Sequence, residues 1–428
     1  MAAISEAFSQ DDIAVIQNRQ LRKTVHYAYS RSPFYRDLMD REGLAPSDIK
    51  SLQDLRHLPT TSKDDMAREG ERFLCVRPED VADIMTTAGA TGRPLFTYAT
   101  EADMNRLAYN EQLSFRVAGL TARDTVVVAV TVDRCFLSGV ATYLGLRRLG
   151  AASVRMGQGS PASLLAMLEK TQATAVVSVP SFLKRVAGYA ETVGFPLRRQ
   201  AVDKLVCIGE PIRDAEFRLN PLGQFLERAW RARIHASYTG TEFAVSCCEC
   251  EAGRGGHVHP ELMHVEIVDD QGRVQPPGVT GEVCVTPFGV TGMPLLRYRT
   301  GDYAFIESGP CACGRVTDRL GPVLGRRALA LTVGGVRVYP GSLHVLVEAD
   351  PDVIGHVLVV ERDDAASDRL SFLLDVRHPQ AVDRLRAQLQ DLLKTTPEIR
   401  VVDRERMRRL QRHQGGRGPR RFIDRRGG

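Results

Sequence analysis

Apolar positions recur along this chain with two periods. From Asp11 to Arg31, Ile13, Ile16, Leu21, Val25 and Tyr29 fall at roughly helical spacing, which predicts an amphipathic helix. Farther on, short apolar runs at Thr125–Val130, Ala175–Val179, Leu205–Ile208 and Val265–Val268 read as strands, with helical stretches such as Ser163–Thr171 between several of them. That alternation predicts an α/β fold with largely parallel sheets. Near Gly325 the pattern changes. There, GRR precedes LALTVGGVRVYP, and apolar runs at Val357–Val360 and Leu370–Val376 alternate with the amphipathic stretch Ala381–Leu393. A large N-terminal α/β domain over residues 1–325, followed by a small α+β C-terminal domain over 326–428, is the expected organisation.

Composition narrows the picture. With 428 residues, 43% hydrophobic and 25% charged, the chain can bury a large core. Its start has no basic region followed by an apolar run, and no stretch approaches the roughly 18 apolar residues that span a bilayer, so a cytoplasmic protein without a membrane partner is expected. Nine cysteines in such a chain are expected as thiols or metal ligands rather than disulfides. The formal charge of +5 is carried mostly by arginine, and the dense tail from Arg404 to Arg426 lacks the interleaved aromatics of a nucleic-acid arm. No nucleic-acid partner is expected, and a homodimer is compatible with the sequence.

Three segments carry candidate chemistry. In Thr86-Thr87-Ala88-Gly89-Ala90-Thr91-Gly92-Arg93-Pro94, small hydroxyl residues between glycines leave N–H and O–H groups free to wrap phosphate oxygens, although a plain surface loop reads the same way. In Ser237-Tyr238-Thr239-Gly240-Thr241-Glu242, an aromatic ring can stack on a base while Thr241 and Glu242 offer oxygens to magnesium; a simple turn is the bland alternative. Arg297-Tyr298-Arg299-Thr300-Gly301-Asp302 presents a carboxylate after a tight glycine turn, suited to ribose hydroxyls. Separately, Cys250 and His257 precede Cys311-Ala312-Cys313-Gly314. Two pairs of soft or borderline ligands, with a glycine to turn the backbone, suit tetrahedral zinc, although unrelated buried thiols fit the spacing as well. Cys247 and Cys248 are rival ligands.

The order of these segments, with SPFYRDLMDREGLAPSDIKSLQDLRHLPTTSKDDM, CFLSGVATYLGLRRLGA, VVSVPSFL, IGEP, HVEIVDD, GEVCVT, PLLRYRTGD, CACGR, VGGVRVYP and the closing RRFIDRR, resembles the ANL superfamily of adenylate-forming enzymes, in its phenylacetate–coenzyme A ligase branch. The resemblance implies activation of an aryl, arylacetic or other small carboxylic acid by ATP as acyl-AMP, then transfer to a thiol, coenzyme A or a carrier. By matched position it implies that Thr86, Thr87, Gly89, Thr91, Gly92 and Arg93 hold the phosphates, Tyr238 the adenine, Thr241 and Glu242 the catalytic magnesium site, and Asp302 the ribose with Arg326 nearby. Gly209, Glu210 and Pro211 match a segment bordering the nucleotide and acyl pockets. Phe136, Leu137, Tyr143, Ala236 and Phe243 are acyl-pocket candidates by position, with core packing as the alternative. Some relatives of this branch hold zinc with the same Cys…His…Cys-x-Cys arrangement, which implies a structural zinc at Cys250, His257, Cys311 and Cys313.

The sequence departs from the family at its C-terminal lysine and its hinge, and also carries Arg93 where lysine is common and Thr239 where glycine usually follows the aromatic residue. The lysine that the superfamily carries near its C-terminus, in a segment like GKxxR, is absent; Gly416-Arg417-Gly418 occupies the matching stretch, and Lys394 is the only lysine after residue 325. Arg417 can supply the charge after a one-residue shift, but a planar fork is not a compact ammonium. The hinge reads Gly325-Arg326-Arg327 in place of an acidic pair. Three functions fit: a working acid–thiol ligase, a partial-cycle acyltransferase with a non-CoA acceptor, or a non-catalytic ligase-like binding protein.

Overall fold

The computed structural model of the chain describes all residues except 1–8, 88–94, 134, 158, 330, 334–335, 363–367, 413–419 and 427–428, and the side chains of 328, 336, 337, 342 and 345. It divides into two compact units, Met1–Arg218 with Leu226–Val323 and Leu219–Phe225 with Leu324–Gly428. Among the described residues no helix is long and apolar enough to cross a membrane.

The first unit opens with helix α1 (Gln10–Arg31), started by a Ser9–Asp12 capping box and buried along Leu21, Val25 and Ala28. Helices α2 (Pro33–Arg41), α3 (Leu52–Leu55) and α4 (Lys63–Glu69) follow. A hairpin, β1 (Asp83–Thr86) and β2 (Phe96–Ala99), sets Thr86 opposite Phe96 and so brackets the candidate phosphate loop. Helix α5 (Glu101–Val117) then leads into a six-stranded sheet: β3 (Thr125–Ala129), β4 (Ala152–Arg155), β5 (Ala175–Ser178), β6 (Lys204–Ile208), β7 (Arg233–Gly240) and β8 (Val245–Cys248). Helices α6 (Leu137–Leu149), α7 (Pro161–Thr171) and α8 (Pro180–Thr192) lie between its first strands in the chain.

That sheet has the order β4-β3-β5-β6-β7-β8, parallel except for the last pair. Helical crossovers return each strand in the same direction, and burial on both faces explains the continuous apolar runs. Val126, Val128, Val177 and Val206 pack with Phe115 of α5 and Leu146 of α6 in one core cluster.

The expected strand at Val265–Val268 exists, but in an antiparallel sheet. After β9 (Gly256–His257), strands β10 (Met263–Val268), β11 (Gly281–Pro287) and β12 (Tyr298–Ala304) pair antiparallel in that order. Their connections hold no crossover helix, so the chain can return only antiparallel. Strands β13 (Ile306–Glu307) and β14 (Arg319–Leu320) complete a small antiparallel sheet of order β13-β14-β9.

In the second unit, Val353–Arg362 and Asp368–Val376 form an antiparallel pair flanked by parallel partners Phe422–Asp424 and Glu398–Val401. The helix Gln380–Leu393 buries Leu385, Leu389 and Leu393 against Leu358, Phe372 and Leu374 of the sheet, the stripe visible as amphipathic spacing in the sequence.

Candidate functional site

Two of the three candidate segments meet at their side chains. Tyr238, near the end of β7, donates its hydroxyl to the carboxylate of Asp302 on β12 at 3.0 Å, across 64 residues of sequence. The Tyr238 ring stacks on Phe243, with centroids 5.8 Å apart and planes at 22°. Phe243 is itself buried in the main core of the unit. At Gly240 a β-carbon would lie 2.2 Å from the Phe243 ring, so any other residue would displace that ring. Asp302 follows Gly301, whose φ of +81° makes the turn that presents the carboxylate.

The turn after Glu242 is held from below. Arg106 of α5 donates to the carbonyls of Ala244 at 3.0 Å, Leu262 at 2.6 Å and Phe288 at 2.5 Å. Burial pulls its pKa down to about 10, partly offset by Asp103, so at neutral pH it stays a cation neutralised mainly by carbonyl dipoles. Ala244, at a φ of +46°, sits at the bend this clamp secures.

Thr87 lies buried just past β1, its N–H donating to Leu95 at 3.0 Å. Its hydroxyl accepts from the ammonium of Lys63 at 3.0 Å, and that ammonium stands 3.4 Å from the Glu242 carboxylate. Lys63 thereby joins the first segment to the second. Thr86 ends β1, its N–H bonded to the Cys135 carbonyl at 2.8 Å. Gly89, Thr91, Gly92, Arg93 and Arg417 lie outside the described residues. Thr241 is half-buried beside Glu242.

Gly209 ends the β6 run in the left-handed region, at a φ of +75°. Both carboxylate oxygens of Glu210 accept from Ser181, one from its N–H and one from its hydroxyl, each at 2.7 Å, so this side chain ties the Gly209–Pro211 segment to the start of α8. Arg326 belongs to the second unit, exposed on the short strand Gly325–Arg326. Of the acyl-pocket candidates, Leu137 is buried beside Met85, Leu107 and Ala141, and Tyr143 lies under two guanidinium groups, those of Arg155 and Arg147 at 4.8 and 5.8 Å.

The cysteine–histidine set converges. The ligating atoms of Cys250, His257, Cys311 and Cys313 all lie within 4.8 Å of one another. Cys250 and Cys311 sulfurs are 3.6 Å apart, and Cys313 Sγ is 3.5 Å from His257 Nε2. Thr317 Oγ1 contacts the other ring nitrogen, Nδ1, at 2.9 Å, leaving Nε2 for a metal. Gly314, at a φ of +87°, donates to the Cys311 carbonyl and closes the turn. Burial holds the imidazole of His257 at a pKa of about 3, so it is the neutral, ligating form. Burial raises the Cys313 thiol, but the N–H and guanidinium of Arg315 and the neighbouring thiols outweigh it and leave the pKa lowered. Three sulfur donors, that of Cys313 with its pKa lowered, and a neutral imidazole suit tetrahedral zinc. Cys247 and Cys248 are buried in apolar surroundings and stand outside the cluster.

Residues 12–293 match the family model described as AMP-binding enzyme. The chain belongs to that family. This AMP-binding enzyme is 28% identical over 381 residues to a phenylacetate–coenzyme A ligase of Thermus thermophilus, covering 87% of this chain and 84% of the relative. A phenylacetate–coenzyme A ligase of Escherichia coli is 24% identical over 422 residues, 93% of this chain and 92% of the relative. The resemblance read in the sequence is borne out. Among solved structures, 2-hydroxyisobutyryl-CoA ligase in its postadenylation state superposes with a TM-score of 0.86 at 22% identity, covering 99% of this chain and 92% of that one. The α/β fold with a smaller C-terminal domain is that of the ANL adenylate-forming enzymes.

Lys63 and Arg106 stand in the site without belonging to any of the candidate segments. Arg106 carries no local signal, because its partners are carbonyls 138 to 182 residues away. Lys63 carries one. It opens α4, directly after the Ser62 cap, where the helix dipole disfavours a cation. A residue at odds with its helix position points to a demand from elsewhere in the fold.

Proposed function

We propose that this chain is an AMP-forming acid–thiol ligase that activates an aryl, arylacetic or other small carboxylic acid with ATP and passes the acyl group to coenzyme A. The observation that carries the reading is one cradle drawn from distant segments. Tyr238 meets Asp302 at 3.0 Å, while Lys63 bridges Thr87 and Glu242 at 3.0 and 3.4 Å. In the first half-reaction a carboxylate oxygen bonds the α-phosphorus and pyrophosphate leaves; in the second the thiol sulfur, its proton lost to solvent, bonds the acyl carbon and AMP leaves. Neither step needs a strong base, so positioning and charge neutralisation are what the protein must provide.

Asp302 has the geometry to accept from ribose hydroxyls, Tyr238 offers its ring to the base, and Thr86, Thr87 and the Gly89–Arg93 stretch are the proposed phosphate donors. Thr241 and Glu242 would hold magnesium, which neutralises phosphate charge when bound. Arg326 and Arg417 belong to the second unit, and their proposed roles, at the hinge and as a cation of adenylation, rest on the resemblance. The Cys250–His257–Cys311–Cys313 set is proposed to hold a structural zinc, since its four donors leave no position open to substrate. ATP and coenzyme A as substrates fit a cytoplasmic setting.

Pyrophosphate release with a panel of aryl and short acyl acids, with and without coenzyme A, tests the reading. Release should depend on the acid, and Glu242→Ala should lower it by about 100-fold or more. Acyl transfer only from supplied acyl-AMP would favour the partial-cycle enzyme, and nucleotide binding with neither half-reaction would leave a binding protein.

A further inference from the structure

The family's C-terminal lysine is absent from this chain, yet an ammonium already stands in the cradle. Lys63 is held there by a rigid approach. Thr61 forms a parallel bridge to Tyr298, its N–H donating to the Arg297 carbonyl at 3.0 Å and its carbonyl accepting from Arg299 at 2.8 Å. Its hydroxyl donates to the Leu296 carbonyl at 2.9 Å. The buried Arg297 guanidinium, paired with Glu266 at 3.1 Å, also donates to the carbonyls of Arg56 and Leu58 at 3.1 and 2.8 Å. Residues 56–61 are thus registered against the strand that carries Asp302. Ser62 then caps α4 through its reciprocal bonds with Asp65, and Lys63 leaves the first helical position toward Thr87 and Glu242.

Its side chain is 30% exposed and that of Glu242 16%, so the pair borders open space rather than sealing a core. In a part-buried pair the cost of taking both charges from water offsets most of their attraction, and the helix dipole opposes a cation at this position. Stability therefore does not account for the lysine. The chain has seven lysines among 57 basic residues, so arginine is its default cation. A compact ammonium on a flexible stem can turn from one oxygen to another, which a planar guanidinium does poorly.

We propose that Lys63 is a phosphate-binding catalytic residue of the adenylation half-reaction. Its ammonium neutralises Glu242 in the ligand-free cradle and passes to a phosphate oxygen of the incoming nucleotide, leaving Glu242 to the magnesium. It gives up no proton; it offsets the charge that gathers on the phosphate oxygens as the carboxylate oxygen–phosphorus bond forms and the bond to pyrophosphate breaks. The inference rests on the ligase reading above and assigns adenylation a cation within the first unit.

The test compares full-length wild type, Lys63→Ala and Lys63→Arg in three measurements. These are calorimetric affinity for magnesium–ATP, acyl-AMP formation without thiol, and acyl transfer to coenzyme A from supplied acyl-AMP, with thermal midpoints as the folding control. Lys63→Ala should weaken magnesium–ATP binding by about 10-fold or more and slow acyl-AMP formation by about 100-fold, with acyl transfer within about threefold of wild type and the midpoint unchanged. Lys63→Arg should recover less than about a tenth of the lost rate. Unchanged acyl-AMP formation overturns the proposal, as does a parallel fall of both half-reactions with the midpoint, which marks a structural role. If wild type activates no acid of the panel, the ligase reading fails by itself. Nucleotide affinity then decides for Lys63: a loss in Lys63→Ala sustains the phosphate contact, and equal or absent binding removes it.

Discussion

The nucleotide cradle and the cysteine–histidine cluster are neighbours in the chain, joined through β8, yet they are built on opposite plans. In the cradle the functional groups satisfy one another: Tyr238 bonds Asp302, and Lys63 bonds Thr87 and Glu242. A nucleotide bound there as proposed would exchange these internal bonds for its own, reversibly, and the groups would rearrange as it reacts. In the cluster, four donors within 4.8 Å of one another are positioned by a glycine turn and a threonine-held imidazole. Such a set is suited to hold a metal without rearranging, the role proposed for it. The proposed roles follow that difference, turnover in one region and permanence in the other.

The largest effect that separates the two plans is expected from the metal. Purified protein should carry about one zinc per chain, and Cys313→Ser or strong chelation should remove it and lower the thermal midpoint by roughly 5–10 °C, as loss of a tightly bound ligand does. Metal analysis beside a melting curve checks this, and a chain that folds equally well without metal breaks the contrast. A smaller effect tests the cradle's dependence on packing. Gly240→Ala places a methyl 2.2 Å from a buried ring, and the displaced Phe243 should cost about 1–3 kcal/mol in denaturant unfolding and weaken nucleotide binding through Tyr238.

An effect confined to high pH is expected in the helix packed on β8. Glu111 of α5 is buried with a hydrogen bond to Ser246 of β8, and burial pushes its pKa up to about 7. A carboxyl whose folded pKa exceeds its unfolded value holds its proton in the folded state. Stability therefore falls as pH rises from about 4.5 through 7 and levels off above that, by at most about 3 kcal/mol. Glu111→Gln should leave stability at pH 5 nearly unchanged and raise it by about 1–3 kcal/mol at pH 8, read from urea titrations at the two pH values. A pH-independent difference would show that the carboxyl is not the titrating group.

Much of the fold was legible locally. The helix expected from Asp11 to Arg31 spans Gln10–Arg31, and the strand expected at Thr125–Val130 spans Thr125–Ala129. Single-element periodicity needs no knowledge of the rest of the chain. The direction of Val265–Val268 was not legible, because strand sense depends on how the chain returns. Cys250, His257, Cys311 and Cys313 were readable as a spaced set, whereas Arg106 and Glu111 looked like ordinary charges on a helix until burial gave them their character.

By itself the sequence determined which segments become helices and strands, the order of the three candidate nucleotide segments, and the chemical kind of each group, since these depend on spacing and side-chain type. Only the tertiary structure decided which of these groups share a site. Lys63 and Glu242 lie 179 residues apart, and their meeting depends on Thr61 being bonded to the strand of Asp302 and on Arg106 bracing the turn beneath. No local pattern encodes such a meeting, because it is the closing of long loops around a common core that brings the charges together.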